Sequence, residues 1–329
     1  MKGSDRVKPH RRDVLLGLVA VAAGPALPRA ARAASPLDVV ATTGMIADTA
    51  RRIGGEAVNV KALMGPGVDP HAYRQTRTDI VAMAKADLVL WNGLYLEAQM
   101  EEVLADIARR TAVRAVAEEG IARDRLIAHD TYADRFDPHV WMDPGLWRDA
   151  ARAVERALTE AAPDRESEFA ANAEAFLADL DRLAAYAAEV LSTVPDTARV
   201  LVTAHDAFNY FGRAYDFDVV GIQGISTESE AGLNRVGELV DLLVERKVSA
   251  VFVESSVSDR SVRALVEGAA ARSHEVRIGG ELYSDAMGAP GTYEGTYIGM
   301  IDHNVTIIAA GLGGHVPERG MDGKLSVGS

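Results

Sequence analysis

The stretch "ESEFAANAEAFLADLDRLAAYAAEVL", residues 166–191, decides how the rest of this 329-residue chain is read. Phe169, Ala173, Phe176, Leu180, Leu183, Ala187 and Val190 recur at steps of three and four, and no Gly or Pro interrupts them. That is the pattern of one long amphipathic helix. Pro163-Asp164 opens it and Pro195 closes it, so the helical segment is taken as 164–195. At 1.5 Å per residue, roughly 28 helical residues span roughly 42 Å, the length of a domain. A rod of that size joins two bodies rigidly.

Short β-branched runs lie on either side of it. "DVVATTG" (38–44), "VNVKALM" (58–64), "DLVLWNG" (87–93) and "AVRAVAE" (112–118) come before. "RVLVTAH" (199–205), "DVVGIQG" (218–224), "AVFVESS" (250–256) and "EVRIGG" (275–280) come after. Helical patterns alternate with these runs, which argues for parallel sheets covered on both faces. The expected fold class is α/β: two lobes of four parallel strands each, 34–163 and 196–312, joined by the one long helix. Residues 313–329, "GGHVPERGMDGKLSVGS", are Gly-rich and expected to be a flexible tail.

The first 33 residues read differently. A basic start (Lys2, Arg6, Lys8, Arg11, Arg12) leads into an apolar run from Val14 to Leu27 and then "ARA" at 31–33. This is the pattern of an export signal cleaved near Ala33, and Arg11-Arg12 directly before the run resembles a twin-arginine signal. The run is about 14 residues, short of the roughly 20 needed to span a bilayer. No later stretch competes with it, so no membrane insertion of the mature chain is expected. Seven Lys/Arg and two Asp give these 33 residues a net charge of +5, so the overall −13 leaves −18 for the remainder. Such acidity argues against nucleic acid as a partner. The chain has no cysteine, hence no disulfide, thiolate ligand, Cys nucleophile or lipid-modified Cys. An exported chain without that anchor needs a second barrier to retain it, so a Gram-negative periplasm is the expected location and a monomer the expected state.

The chemistry centres on a repeated tripeptide. Asp-Pro-His occurs at 69–71 and again at 137–139. Asp69 can cap a helix and Pro70 can begin it, which would put His71 on the first turn, where the positive helix end favours the neutral, metal-binding imidazole. His139 falls in the loop after the fourth strand, with Asp143-Pro144 starting the next helix. His205 ends the fifth strand and Asp285 follows the eighth. All four stand at or beyond the carboxyl ends of strands, two from each lobe, where open α/β sheets gather ligands. Taken singly, each Asp-Pro-His reads first as a cap with an incidental His, His205 as a strand-end hydrogen-bonding residue and Asp285 as a turn residue. Glu254, at the end of an apolar strand, is a candidate to orient a ligand, or a cap. His10, His129, His274, His303 and His315 carry no comparable context.

These residues, with "MGPGVDPHAY", "DPHVWMDP", "VTAHDAFNYFGRAY", "GIQGISTESEAG", "VFVESSV", "GGELYSDAMG" and "GTYEGTYIGM" in order along essentially the whole mature chain, resemble the periplasmic receptors of zinc and manganese ABC importers, nearest to the TroA type. The resemblance implies two α/β lobes bridged by one helix, with a metal held between them by His71, His139, His205 and Asp285. It implies Zn(II) or Mn(II) as transported cargo and a membrane permease as partner. Manganese-selective relatives often present Glu where this chain has His205. Many zinc-specific ones carry a long His-rich loop where residues 119–136 hold only His129. The alternative from another class is a zinc-dependent hydrolase using the same site. Catalytic zinc keeps an open position beside three protein ligands, whereas four are proposed here, and neither HExxH nor GxGxxG is present.

Overall fold

A computed structural model describes residues 35–129, 134–229 and 231–326; the export signal expected at 1–33 lies outside them. All eight expected strands form: β1 (Leu37–Ala41), β2 (Val58–Ala62), β3 (Leu88–Trp91), β4 (Ala112–Ala115), β5 (Val200–Thr203), β6 (Asp218–Gly221), β7 (Ala250–Glu254) and β8 (Arg277–Leu282). The first four make one parallel sheet in the order β2-β1-β3-β4. The chain leaves β1 for one side and then returns to the other, so the strand ends beside β1 and β3 form the kind of crevice in which α/β sheets bind ligands.

The second lobe departs from the expected continuous sheet. Its strands form two parallel pairs, β5-β6 and β7-β8, with β5 packed beside β7 but no backbone ladder joining them. At the end nearest the site a side chain makes the link instead: Glu254, the last residue of β7, accepts the backbone N–H of His205 at 2.8 Å.

The linking helix runs Glu166–Leu191, 26 residues, preceded by a 3₁₀ turn at Pro163–Arg165. It spans about 39 Å. Every apolar position that defined it in the sequence is buried. Alternation along the strands shows what it packs under. Val39, Ala41, Leu88 and Leu90 of the first lobe and Leu201, Ala250 and Phe252 of the second face the same core as Phe169, Phe176, Leu183 and Val190 of the helix. The intervening Val40 and Val89 turn to a smaller core on the far face of the first sheet, and Val200, Val202 and Val251 to one on the far face of the second lobe. The main core is therefore continuous from lobe to lobe.

The C-terminal segment through Ser326 is docked, contrary to the flexible tail expected from its glycines. Leu325 is buried, Met321 N–H donates to the Asp302 carboxylate at 2.9 Å, and Ser326 N–H donates to Glu294 at 2.7 Å. Composition could not show these partners, which sit on other elements. Among the described residues no helix is long and apolar enough to cross a membrane.

Candidate metal centre

The two copies of Asp-Pro-His are built alike. In each, one carboxylate oxygen accepts the backbone N–H of the His two residues on, Asp69 Oδ1 to His71 at 2.8 Å and Asp137 Oδ1 to His139 at 2.9 Å. These are Asx turns, in which a short acidic side chain replaces a backbone partner. The helix expected at His71 begins later. Thr76 and Asp79 form a reciprocal capping box that starts it at Arg77, so residues 70–72 stay in a turn whose His71 backbone N–H is held by Asp69. Gly67, just upstream, has φ of +69°, and a Cβ there would stand 3.3 Å from Ser255 O of the second lobe. Downstream of the second copy, Asp143 does cap the helix Pro144–Ala161, accepting from Gly145 and Leu146 N–H.

His71, His139, His205 and Asp285 are all buried, and one ligand atom from each lies within 4.8 Å of the other three. The Nε2 atoms of His71 and His139 are 3.2 Å apart. Asp285 Oδ1 lies 3.4 Å from His139 Nε2, and Oδ2 lies 3.2 Å from His205 Nε2 and 3.9 Å from His71 Nε2. His205 Nε2 and both Asp285 oxygens are buried without a hydrogen-bond partner. Buried polar atoms are ordinarily satisfied, so three bare ones converging with two more imidazoles are suited to a shared cation. The donor set, three nitrogens and one carboxylate, fits a divalent transition metal.

Residues 39–311 match the family described as ZnuA, zinc-uptake complex component A, periplasmic. The chain belongs to that family. It is 49% identical over 276 residues to the manganese-binding lipoprotein MntA of Bacillus subtilis (strain 168), covering 84% of this chain and 90% of that protein. It is 46% identical over 274 residues to the zinc-binding protein TroA of Treponema pallidum (strain Nichols), covering 83% and 88%. The solved structure of the Treponema pallidum periplasmic zinc-binding protein TroA superposes with a TM-score of 0.82 at 45% identity, covering 84% of this chain and 99% of that one. Proteins of this kind are the solute-binding components of metal ABC importers and are not enzymes.

Outer carboxylates orient two of the three imidazoles of this ZnuA-family protein. His139 Nδ1 is 2.7 Å from Asp137 Oδ1, and His205 Nδ1 meets Glu254 Oε2. Each carboxylate accepts the Nδ1–H and so turns Nε2 toward the centre, the device that orients metal-binding histidines and raises their basicity. Burial pushes the His71 imidazole down to about 3, assisted by His139 and His205. Burial acts in the same sense on His139, but the Asp137 and Asp285 carboxylates outweigh it and hold that ring up at about 9. His205 is likewise raised, Glu254 and Asp285 overcoming its burial, and the same pairs keep Asp285 far below the usual carboxylate range despite its own burial.

Of the remaining histidines, His10 lies outside the described residues and the others are not among the four converging donors. His274 Nε2 and His303 Nε2 meet backbone oxygens of Val248 and Glu281, while His129 lines a cavity of about 620 Å³ that reaches His71. Sequence reading singled out Glu254 but missed Asn92 and Glu97. Asn92 Nδ2 donates to Pro138 O at 3.1 Å, supporting the His139 loop. Glu97 beneath it is fully buried and accepts from Thr42 Oγ1, Asn92 N–H and Gly93 N–H, and burial raises its carboxyl to about 7. An acid alone in "GLYLEAQM" was the signal available.

Proposed function

We propose that this ZnuA-family protein captures one Zn(II) or Mn(II) ion between its lobes through His71, His139, His205 and Asp285 and hands it to the membrane permease of an ABC importer. The observation that carries this reading is the convergence of four buried donors, two from each half of the chain, with three of their atoms otherwise unpartnered. MntA and TroA, nearly half identical to this chain, are named for manganese and zinc respectively, which supports both ions as candidate cargo. Four protein donors close the coordination shell, which suits carriage better than the open position of a catalytic zinc.

The lobes are taken as 34–163 and 196–312 with the helix 164–195 between them. The protein acts outside the cytoplasm, in the periplasm, after cleavage of residues 1–33 near Ala33. Three imidazoles favour zinc, and affinity rises from manganese to zinc for a given site, so competitive titration of metal-free protein should give the tighter dissociation constant for zinc. His205→Ala should weaken zinc by at least about 100-fold, because it removes a donor rather than a supporting contact. His129→Ala should leave zinc affinity within twofold of wild type. Equal affinities for His205→Ala and wild type in calorimetry would remove His205 from the site.

A further inference from the structure

The two Asx turns leave one oxygen of each aspartate unused by its histidine, and in both cases that oxygen is taken up by the opposite lobe. Asp69 Oδ2 accepts the hydroxyl of Thr227 at 2.5 Å, across 158 residues of sequence. Asp137 Oδ2 accepts the amide of Asn209 at 3.1 Å, across 72. Thr227 lies in the loop after β6, and Asn209 opens the helix Asn209–Tyr215; both belong to the second half of the chain. One carboxylate thus reads two things at once, the backbone of its own histidine and the position of the other lobe.

We propose that Asp69 and Asp137 are cross-lobe latches, and that Thr227 and Asn209 are positioning residues that set how long the cargo ion is retained. This rests on His71 and His139 holding that ion. Neither Thr227 nor Asn209 acts on the ion; each acts through the aspartate that fixes a histidine. With the lobes together the aspartate is held at both ends and its Asx turn is rigid. When the contact parts, the carboxylate is free to rotate, its hold on the His N–H loosens, and the imidazole loses its aim. Losing the outer partner of a metal-binding residue commonly costs 10- to 100-fold in metal affinity, so a latch bond that steadies such a partner passes a share of that effect on to release.

The surroundings of Thr227 fit that role. Ser226 and Glu228, on either side of it, line the cavity of about 620 Å³ that reaches His71, and Glu228 receives a bond from Gln99 of the first lobe. The latch therefore sits in the wall of an approach to the ion. Beside Asn209, Tyr210 acts on the same motif: its OH donates to Asp137 O at 2.8 Å and so steadies the backbone there.

The test is zinc release from the zinc-loaded protein, followed by stopped-flow mixing with excess chelator, alongside the melting temperature of the metal-free form. Thr227→Val keeps the shape and removes the hydroxyl; it should speed release about 10-fold while the metal-free melting temperature stays within about 2 °C of wild type. Thr227→Ser, which restores the donor, should return the rate to within about twofold of wild type. Asn209→Leu should speed release in the same direction, and it serves as the independent variant if Thr227→Val does not fold. Release unchanged in both Thr227→Val and Asn209→Leu, or Thr227→Ser as fast as Thr227→Val, overturns the latch. His71→Ala separates the two ideas: if it loses zinc while the latch variants behave as wild type, the latch fails and the site stands, whereas zinc retained by His71→Ala defeats the site itself.

Discussion

The histidines of the centre differ in how they meet a proton, and the difference predicts a pH response. At pH 7 His71, depressed to about 3 by burial and its imidazole neighbours, is already the neutral form a metal requires. His139, held up at about 9 by Asp137 and Asp285 against its burial, and His205, raised by Glu254 and Asp285, carry protons that an incoming ion must displace. Zinc binding at pH 7 should therefore release about one to two protons, read by calorimetry in buffers of different ionisation enthalpy, and affinity should tighten as pH rises toward 9. No net release would contradict the pairing of these rings with their carboxylates. Linkage adds a sign for the metal-free protein. The raised His139 contributes stability that is complete below its unfolded value of about 6.5 and is lost as pH climbs through about 9. His71 acts oppositely, costing stability as pH falls from about 6.5 toward 3. Sequence order and strand ends were enough to single out the four residues that meet. They could not reveal Thr227 or Asn209, because a bond spanning 158 or 72 residues leaves no periodicity or local motif behind.

At the scale of elements, legibility followed the strength of the local signal. The linking helix was readable because its apolar repeat runs unbroken along its length, and each of those side chains is buried. The helix start near His71 was misread because Asp-Pro is a plausible opening, while "TRTD" at 76–79 holds the stronger device, a capping box closed from both sides. Four parallel strands were legible in the second lobe, but their division into two pairs was not, since pattern reports burial and not which ladders close. Phe176 shows what the long helix contributes. It packs edge-on to Tyr297, whose OH donates to Trp141 O two residues from His139, and the Arg52 guanidinium lies 5.4 Å from its ring. Phe176→Ala should cost about 3–5 kcal/mol in denaturant unfolding, the usual loss for a large buried ring. It should do so in one transition, because the core beneath the helix serves both lobes. Two separated transitions would mean that the lobes fold independently.

For the whole molecule, that shared core limits how cargo can be gained and lost. A hinge that swings two lobes wide apart needs an interface that parts without exposing apolar surface. Here the lobes share buried residues from β1, β3, β5 and β7 under one continuous 26-residue helix, and opening them broadly would bring those side chains to water. At roughly 25 cal/mol per Å², exposing even about 300 Å² of that core would cost about 7–8 kcal/mol, comparable to the whole stability of an ordinary domain. The contacts that can part at low cost lie at the mouth, where Thr227 meets Asp69 and Gln99 meets Glu228 between polar groups that water can serve instead. Metal exchange should therefore proceed by local loosening around the site, with the body of the protein unchanged. Small-angle scattering checks this directly. Without residues 1–33 the chain has an expected radius of gyration of about 19 Å, and removing the metal should change it by less than about 1 Å. A shift of several ångströms would mean that the helix bends or the core divides, and release would then have to be sought in domain rotation rather than at the two aspartates.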